Sequence, residues 1–501
     1  MTKVKIPPYV RASNPHLARW QSAVAEVAEE ELRSKYPDLS AAALQQKLFT
    51  HPMVLGTNIH VQEAEGAGRG LQPKGIETYR SLAKSDAAAM PVIHGVLSHQ
   101  FFEKERTNGL LSEPLLFPDS DYAYLQWAKV VVKWGLFGNP IPGPYRSVKE
   151  NGGPVADFGV IQIPNDAKVA ILGDFATGLN DATTLLIAML RDLQPDFIVH
   201  LGDIYYSGSE QECKTYVATF DYAFSVTGRK VPVFSLPGNH DYYSGGWGFF
   251  KSVLEMNAKN GFPQYAQPAS YFCLRTENAN WQLLGMDTGY NSVHNYQVTK
   301  LGGNLEAAYA PWLEFDEAAW HQNKLTNFPG RTILMSHHQL FSSDAVINDG
   351  DRVVYQQGTN VDALTYLNGN LLQVFKDYLP KVAAWFWGHE HTLNIFKDNQ
   401  AGLSKARLVG NSGYEEWEGE NPYKHTDSPY SDLTPEVEVG VTPVSWNGQS
   451  FNFLNHGFAL LTLKAGQACV DYYEYPVFNP HQPIPADPPP ISKVDFRDAS
   501  L

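Results

Sequence analysis

The sequence predicts an α/β fold preceded by a mainly helical N-terminal extension, and three observations predict it. From about residue 157 short runs of Val, Ile, Leu and Phe alternate with longer stretches of helical spacing. Five of these runs end in a residue with an oxygen or nitrogen donor, and none ends in a thiolate. Residues 1 to about 155 carry helical periodicities and loops without such runs.

In chain order, Asn14 followed by Pro15 reads as a helix N-cap and first turn, and Leu17, Trp20, Val24 and Val27 share one helical face. A second periodic stretch covers about 41–48 and a third about 122–134. GAGRG at 66–70 follows acidic polar residues rather than a strand, so it is a loop and not a nucleotide fingerprint. NPIPGPYR at 139–146 reads as a linker or turn. FGVIQI then leads into VAILGD, and helices are expected at 181–193, 210–224, near 312–325 and near 361–378. SYFCLR and WQLLGMD read as neighbouring strands, and GFALLTLKAGQACVDYYEY as a hairpin turning near Ala-Gly. The expected organisation is a helical region 1–155, a catalytic domain 156–475 and a proline-rich, extended tail 476–501. Polar residues 415–456 form either a lid or rim loop over the site or a surface excursion.

The five runs are VAILGD up to Asp174, FIVHLGDIYY around Asp203, VPVFSLPGNHD ending at Asp241, TILMSHH around His337, and VAAWFWGHEH ending at His391. Short apolar runs bounded by turn signals fit buried strands of a parallel sheet. Ligands of such sheets bind beyond the carboxyl ends of the strands, which is where all five donor-bearing ends would lie. Two metal ions about 3.5–4 Å apart activate water and neutralise phosphate oxygens, and they need a bridging carboxylate with several terminal O and N ligands. Taken singly, Asp174 would also serve as a helix cap and Tyr206 as a core or rim tyrosine; Tyr205 is assigned to the core. Asn239 suits a turn, but His240 and Asp241 add nothing to one. His337 and His338 are adjacent, so they point in different directions, whereas His389 and His391 share a face of an extended segment. His294, His425 and His456 are read as surface or satisfied histidines, and His94 and His99 receive no role.

At these residues the chain resembles the calcineurin-like metallophosphoesterase superfamily, within it most closely the purple acid phosphatase branch. The superfamily's first pattern carries a ligand His two residues after the Asp; here Ala176 stands there. The purple branch replaces that His by a Tyr three residues after the second Asp, which is Tyr206. The resemblance covers roughly 166–475 and implies a layered β-sandwich flanked by helices. It implies one metal held by Asp174, Tyr206 and His391, a second held by Asn239, His337 and His389, and Asp203 bridging them. It implies iron in the Tyr206 site, with a purple or pink colour for iron(III), and iron, zinc or manganese in the second. His240 would protonate the leaving group, Asp241 would orient His240, and His338 and Tyr243 would meet the substrate. Ala176 and Gln339 depart from the family's residues at those positions, so contacts around the substrate differ.

The expected activity is hydrolysis of phosphate esters, most of all monoesters, on a small molecule or a phosphorylated substrate. The competing readings are a diesterase acting on nucleotides or lipid head groups, and a non-catalytic scaffold, which the complete donor set disfavours. A net charge of −15 argues against nonspecific nucleic-acid binding, though not against a phosphate substrate. The three scattered cysteines form no metal spacing or disulfide framework. With no apolar run behind the basic start and no membrane-length apolar stretch, the expectation is a cytoplasmic enzyme without a membrane span. The sequence leaves the oligomeric state open.

Overall fold

A computed structural model describes residues 15–51, 158–176, 178–292, 311–342, 367–414, 437–446, 449–476 and 488–501, with a few isolated positions besides. The chain divides into two compact units, residues 1–138 with 297–303, and residues 139–296 with 304–501.

In the first unit, helix α1 (Pro15–Lys35) starts at the proline, and Val24, Val27 and Leu32 are buried along it. Helix α2 (Ala41–Phe49) is capped by Ser40, whose hydroxyl accepts the Ala43 N–H. The periodic stretch at 122–134 lies outside the described residues, apart from three helical positions.

The second unit is a sandwich of two sheets. One has six strands: β2 (Ala167–Leu172), β3 (Phe197–His200) and β4 (Val233–Ser235) run parallel, and β14 (His456–Lys464), β15 (Gln467–Tyr475) and β16 (Ser492–Asp498) extend it antiparallel from β2. The other has eight strands in the order β1-β5-β6-β7-β8-β10-β9-β11. Its members are β1 (Val160–Ile163), β5 (Phe272–Thr276), β6 (Trp281–Gly285), β7 (Arg331–Ser336), β8 (Val382–Trp387), β9 (Leu393–Phe396), β10 (Ala406–Val409) and β11 (Val437–Gly440), with β6, β7 and β8 parallel. The strands are apolar nearly throughout because both faces are covered. Between the sheets Val169, Ile171, Val199 and Phe234 meet Leu283, Ile333, Met335 and Phe386. Outside the six-stranded sheet lie α3 (Asn180–Asp192) and α4 (Glu210–Thr227), packed through Leu185, Met189, Tyr216 and Phe220. Outside the eight-stranded sheet lie α5 (Phe315–Asn327) and α6 (Gly369–Phe375), packed through Trp320, Leu325, Leu371 and Phe375. Burying this apolar surface at about 25 cal/mol per Å² is the main force holding the layers together.

Two segments differ from expectation. Residues 476–501 are not simply a tail: 492–498 form β16 on β15, with Val494 and Phe496 against the core. The period-2 alternation of KVDFRD was masked by the prolines before it. In 415–456, residues 415–436 lie outside the described residues, and the rest forms β11, a small hairpin of β12 (Pro443–Trp446) and β13 (Gln449–Leu454), and the start of β14. Cys213, Cys273 and Cys469 are free. Among the described residues no helix is long and apolar enough to cross a membrane.

Candidate metal centre

Five strands aim their carboxyl ends at one place: β2, β3 and β4 from one sheet, β7 and β8 from the other. Asp174, Asp203, Asn239, His337 and the pair His389 and His391 follow these strands within a few residues. Residues more than 200 positions apart therefore meet: the His389 N–H donates to Asp174 Oδ2 at 2.8 Å. Between them the two sheets supply both halves of the site.

Asp203 stands at the centre. Its Oδ2 lies 3.3 Å from His337 Nε2, 3.2 Å from the Tyr205 hydroxyl and 3.9 Å from His240 Nε2. Its Oδ1 accepts the His240 N–H at 2.9 Å. On one side of Oδ2, His337 Nε2 lies 3.1 Å from Asn239 Oδ1 and 3.2 Å from His389 Nδ1. On the other side, Asp174 Oδ1 is 3.7 Å from His391 Nε2. The described side chains thus group as Asn239, His337 and His389 to one side and Asp174 and His391 to the other, with Asp203 shared.

In His337 and Asn239 the atoms facing away from the centre are held, as those of metal ligands usually are. His337 Nδ1 faces the Leu201 carbonyl at 3.2 Å. Asn239 Nδ2 donates to the Tyr243 hydroxyl at 3.0 Å, which turns Oδ1 inward. Tyr243, expected at the substrate, therefore orients Asn239 and lies beside the His240 ring, 4.6 Å between centroids. His338 Nδ1 meets Thr288 Oγ1 at 3.0 Å, and the His338, His337 and His389 donor atoms lie within 4.8 Å of one another.

The electrostatics ask for a cation. Burial opposes charge on Asp203, yet the imidazoles of His337, His240 and His389 hold its carboxyl well below the usual range. Burial alone would discharge His337, but Asp203 and Asp174 push it up to about 9. His338 and His389 are held neutral, first by burial and then by their histidine neighbours. Buried carboxylates and imidazoles that share protons among themselves, all O and N donors, suit a hard or borderline divalent or trivalent metal that would take the place of those protons.

Two expectations need correction. Asp241 does not touch the His240 imidazole: its Oδ2 accepts the N–H groups of Gly238 and Asp203 at 2.7 and 3.1 Å, so it shapes the loops that carry Asn239 and Asp203. The imidazole is held by the Tyr206 carbonyl, 2.8 Å from Nδ1. His389 and His391 do not share a face of an extended segment, because His389 has φ 75°, and their imidazoles serve opposite sides of Asp203.

Tyr205, expected in the core, joins the site, as do Tyr414 and Thr288, which the sequence reading did not single out. The hydroxyl between Asp174 and His391 belongs to Tyr205, 2.5 Å from Asp174 Oδ1 and 2.8 Å from His391 Nε2. The Tyr206 ring lies beside Tyr205 and Tyr414. Tyr414 lies over His391 with ring centroids 4.1 Å apart. Thr288 follows WQLLGMD, a sixth apolar run ending in a carboxylate, so the same signal could have found it. Gln339 is buried and donates to Glu390 at 3.1 Å. His456 is a buried, satisfied histidine between Asp181 and the Asn411 carbonyl. His294 and His425 lie outside the described residues.

Residues 167–393 match the family model for calcineurin-like phosphoesterases. No curated protein matches the chain. Among solved structures the chain is similar to a dimetal phosphatase from Danio rerio, at 14% identity over 62% of this chain and 96% of that one, TM-score 0.37. It is similar to PhoD at 11% identity over 67% of each chain, TM-score 0.39. It is also similar to a phosphopantetheinyl hydrolase from Mycobacterium tuberculosis at 13% identity over 55% of this chain and 97% of that one, TM-score 0.28. Likeness at this level carries no functional inference, and the assignment rests on the family match and the donor set it encloses. Through residues 167–393 the chain belongs to the calcineurin-like phosphoesterases, metal-dependent hydrolases of phosphate esters.

Proposed function

We propose that the chain is a phosphomonoesterase working with two metal ions. Asp174, His391 and a tyrosine phenol would hold one, Asn239, His337 and His389 the other, and Asp203 would bridge them. The observation that carries this is the convergence of donors from both sheets on Asp203 Oδ2. Two bound metals would supply an acidified water and the charge that neutralises the phosphate oxygens. A phenol beside Asp174 favours iron in that position, with iron, zinc or manganese in the other. The preference for monoesters rests on the resemblance to the purple acid phosphatase branch.

The chain's own residues supply the rest. His240 is the proton donor to the leaving oxygen: its Nδ1 is engaged by the Tyr206 carbonyl, which directs Nε2 to the centre, and its side chain is 23% exposed. A substrate can therefore reach it, whereas Asp174 and Asp203 are sealed from solvent. His338, held by Thr288, lines the side next to His389. The free thiols favour a reducing compartment.

The test compares 4-nitrophenyl phosphate with its bis-ester, using metal-loaded protein and the His240→Ala variant. Wild type is expected to prefer the monoester, and the variant to keep its metals while losing about 10²–10⁴-fold in turnover. Preference for the bis-ester would replace the monoesterase reading by the diesterase one. Unchanged turnover in His240→Ala would remove His240 from the chemistry.

A further inference from the structure

We infer that Tyr205 supplies the phenolate to the metal beside Asp174, and that Tyr206, which motif spacing selects, acts through its main-chain carbonyl on His240. The inference rests on the dinuclear reading above and assigns the ligand that reading left open.

Three donor atoms from three separate segments surround the Tyr205 hydroxyl: Asp174 Oδ1 at 2.5 Å, His391 Nε2 at 2.8 Å and Asp203 Oδ2 at 3.2 Å. All three belong to the expected ligand set. A core tyrosine usually satisfies its hydroxyl with a single partner; here the oxygen sits among the atoms a metal would share. On metal binding the O–H bond breaks as the O–metal bond forms, and the proton passes to solvent. The Tyr205 ring is fixed for this, packed at 4.8 Å from both the His240 and Tyr414 rings and 98% buried.

Tyr206 is engaged differently. Its N–H donates to Glu212 Oε1 at 2.6 Å, and its carbonyl accepts from His240 Nδ1 at 2.8 Å. Glu212 also closes the capping box of α4 with Ser209, and it accepts from Ser207. The start of α4 therefore fixes the Tyr206 backbone, and that backbone fixes the His240 tautomer. Tyr206 is a positioning residue whose side chain is dispensable for it.

The test uses the full chain, stripped by a chelator and reloaded with iron(III), as wild type, Tyr205→Phe and Tyr206→Phe. Bound iron is measured by mass spectrometry, and the tyrosinate-to-iron charge-transfer band by visible absorption. Wild type and Tyr206→Phe should show the same band, and Tyr205→Phe should lose at least nine-tenths of it at equal iron. If Tyr205→Phe fails to fold, the band in Tyr206→Phe decides. A bleached Tyr206→Phe beside a coloured Tyr205→Phe overturns the inference, as does a colourless wild type with stoichiometric iron. Either result leaves the hydrolase reading to its own ester assay. Failure of wild type to bind iron while hydrolysing the ester with another metal overturns the phenolate assignment, and failure of both overturns the dinuclear reading.

Discussion

Gly238→Ala isolates the geometry of the bridging carboxylate. Gly238 has φ −104°, which alanine adopts freely, so the substitution brings no backbone strain. A Cβ there would lie 2.0 Å from Asp203 Oδ1 and 2.7 Å from His337 Cδ2. Ordinary contact begins at 3.4 Å. The carboxylate would have to retreat by about 1.4 Å, or the Asn239 loop by as much, since such overlaps cannot be absorbed in a close-packed interior. Either movement breaks the 2.9 Å bond from the His240 N–H and shifts Oδ2 away from His337. Metal–ligand distances tolerate only about 0.2 Å. A misplacement of about 1 Å costs about 10²-fold in rate, or roughly 2.7 kcal/mol of barrier. Gly238→Ala is thus expected to fall about 10²-fold in kcat/KM and below full occupancy of two metals. Gly440→Ala is the control: among the described residues its Cβ would meet only Asn394 Oδ1, at 3.7 Å. Metal content by mass spectrometry and ester hydrolysis at matched metal concentration read the outcome. Two tightly held metals and kcat/KM within about threefold of wild type would refute the placement of Asp203 against this turn.

Two further perturbations probe what stands behind the site. Asp287 and Glu317 are buried together, with the Asp287 N–H donating to Glu317 Oε1 at 2.8 Å and the Tyr145 hydroxyl to Oε2 at 2.7 Å. Burial pushes both carboxyls up to about 8, and Glu317 adds to the shift on Asp287. Both folded values lie above their unfolded ones, so the stability they lend is complete in acid and is lost as pH rises toward 8. Glu317→Gln should flatten the fall in urea midpoint between pH 5 and pH 8, and equal slopes in variant and wild type would count against this buried pair. At the other edge, Arg407 on β10 grips Asp498 on β16 through Nε at 2.8 Å and Nη2 at 2.7 Å, both residues buried. Asp498→Asn leaves the guanidinium buried with a weakened partner and should cost about 3–5 kcal/mol by chemical denaturation; a loss under about 1 kcal/mol would show that β16 is not integral to the fold.

Most of the candidate site was legible because its chemistry lies in residue types at strand ends, and strand ends are marked by apolar runs. The runs before Asp174, Asp203, Asn239, His337 and His389 all became buried strands, and four of the expected helices begin within three residues of 181, 210, 312 and Pro15. The alternation of Ser492–Asp498 was less legible, because prolines precede it and its strand exists only through pairing with β15, with Arg407 holding Asp498 from the other sheet, neither of which local composition announces. The choice between Tyr205 and Tyr206 was not legible at all. Spacing along the chain counts residues, whereas the hydroxyl that reaches Asp174 depends on how the Asp203–Ser209 loop turns. The role given to Asp241 failed for a related reason. A His-Asp pair in sequence suggests an imidazole resting on a carboxylate, but the turn at Gly238 presents two N–H groups that take that carboxylate first.

The backbone explains why these loops defeat a reading by spacing. Asp174, Asp203 and His389 have φ of 56°, 67° and 75°, in the left-handed region that non-glycine residues rarely occupy. Each such position costs roughly 1–3 kcal/mol and persists only where the surroundings over-determine it. The surroundings here are the candidate ligands and the loops that carry them. The His389 N–H is tied to Asp174 Oδ2, Asp174 N–H to the Gly202 carbonyl, and Asp203 N–H to Asp241. A glycine precedes each of the three, and at Gly173 and Gly388 a Cβ would strike Val409 O at 1.9 Å and Asp174 Oδ2 at 2.6 Å. Gly-Asp and Gly-His in these motifs are therefore one device: the glycine admits the crossing chain, and the following residue is turned out of the strand direction toward the centre. The strain is shared among loops from both sheets, so loosening one loop should loosen the others. Variants of any one glycine are accordingly expected to disturb both sides of Asp203 together rather than one metal alone.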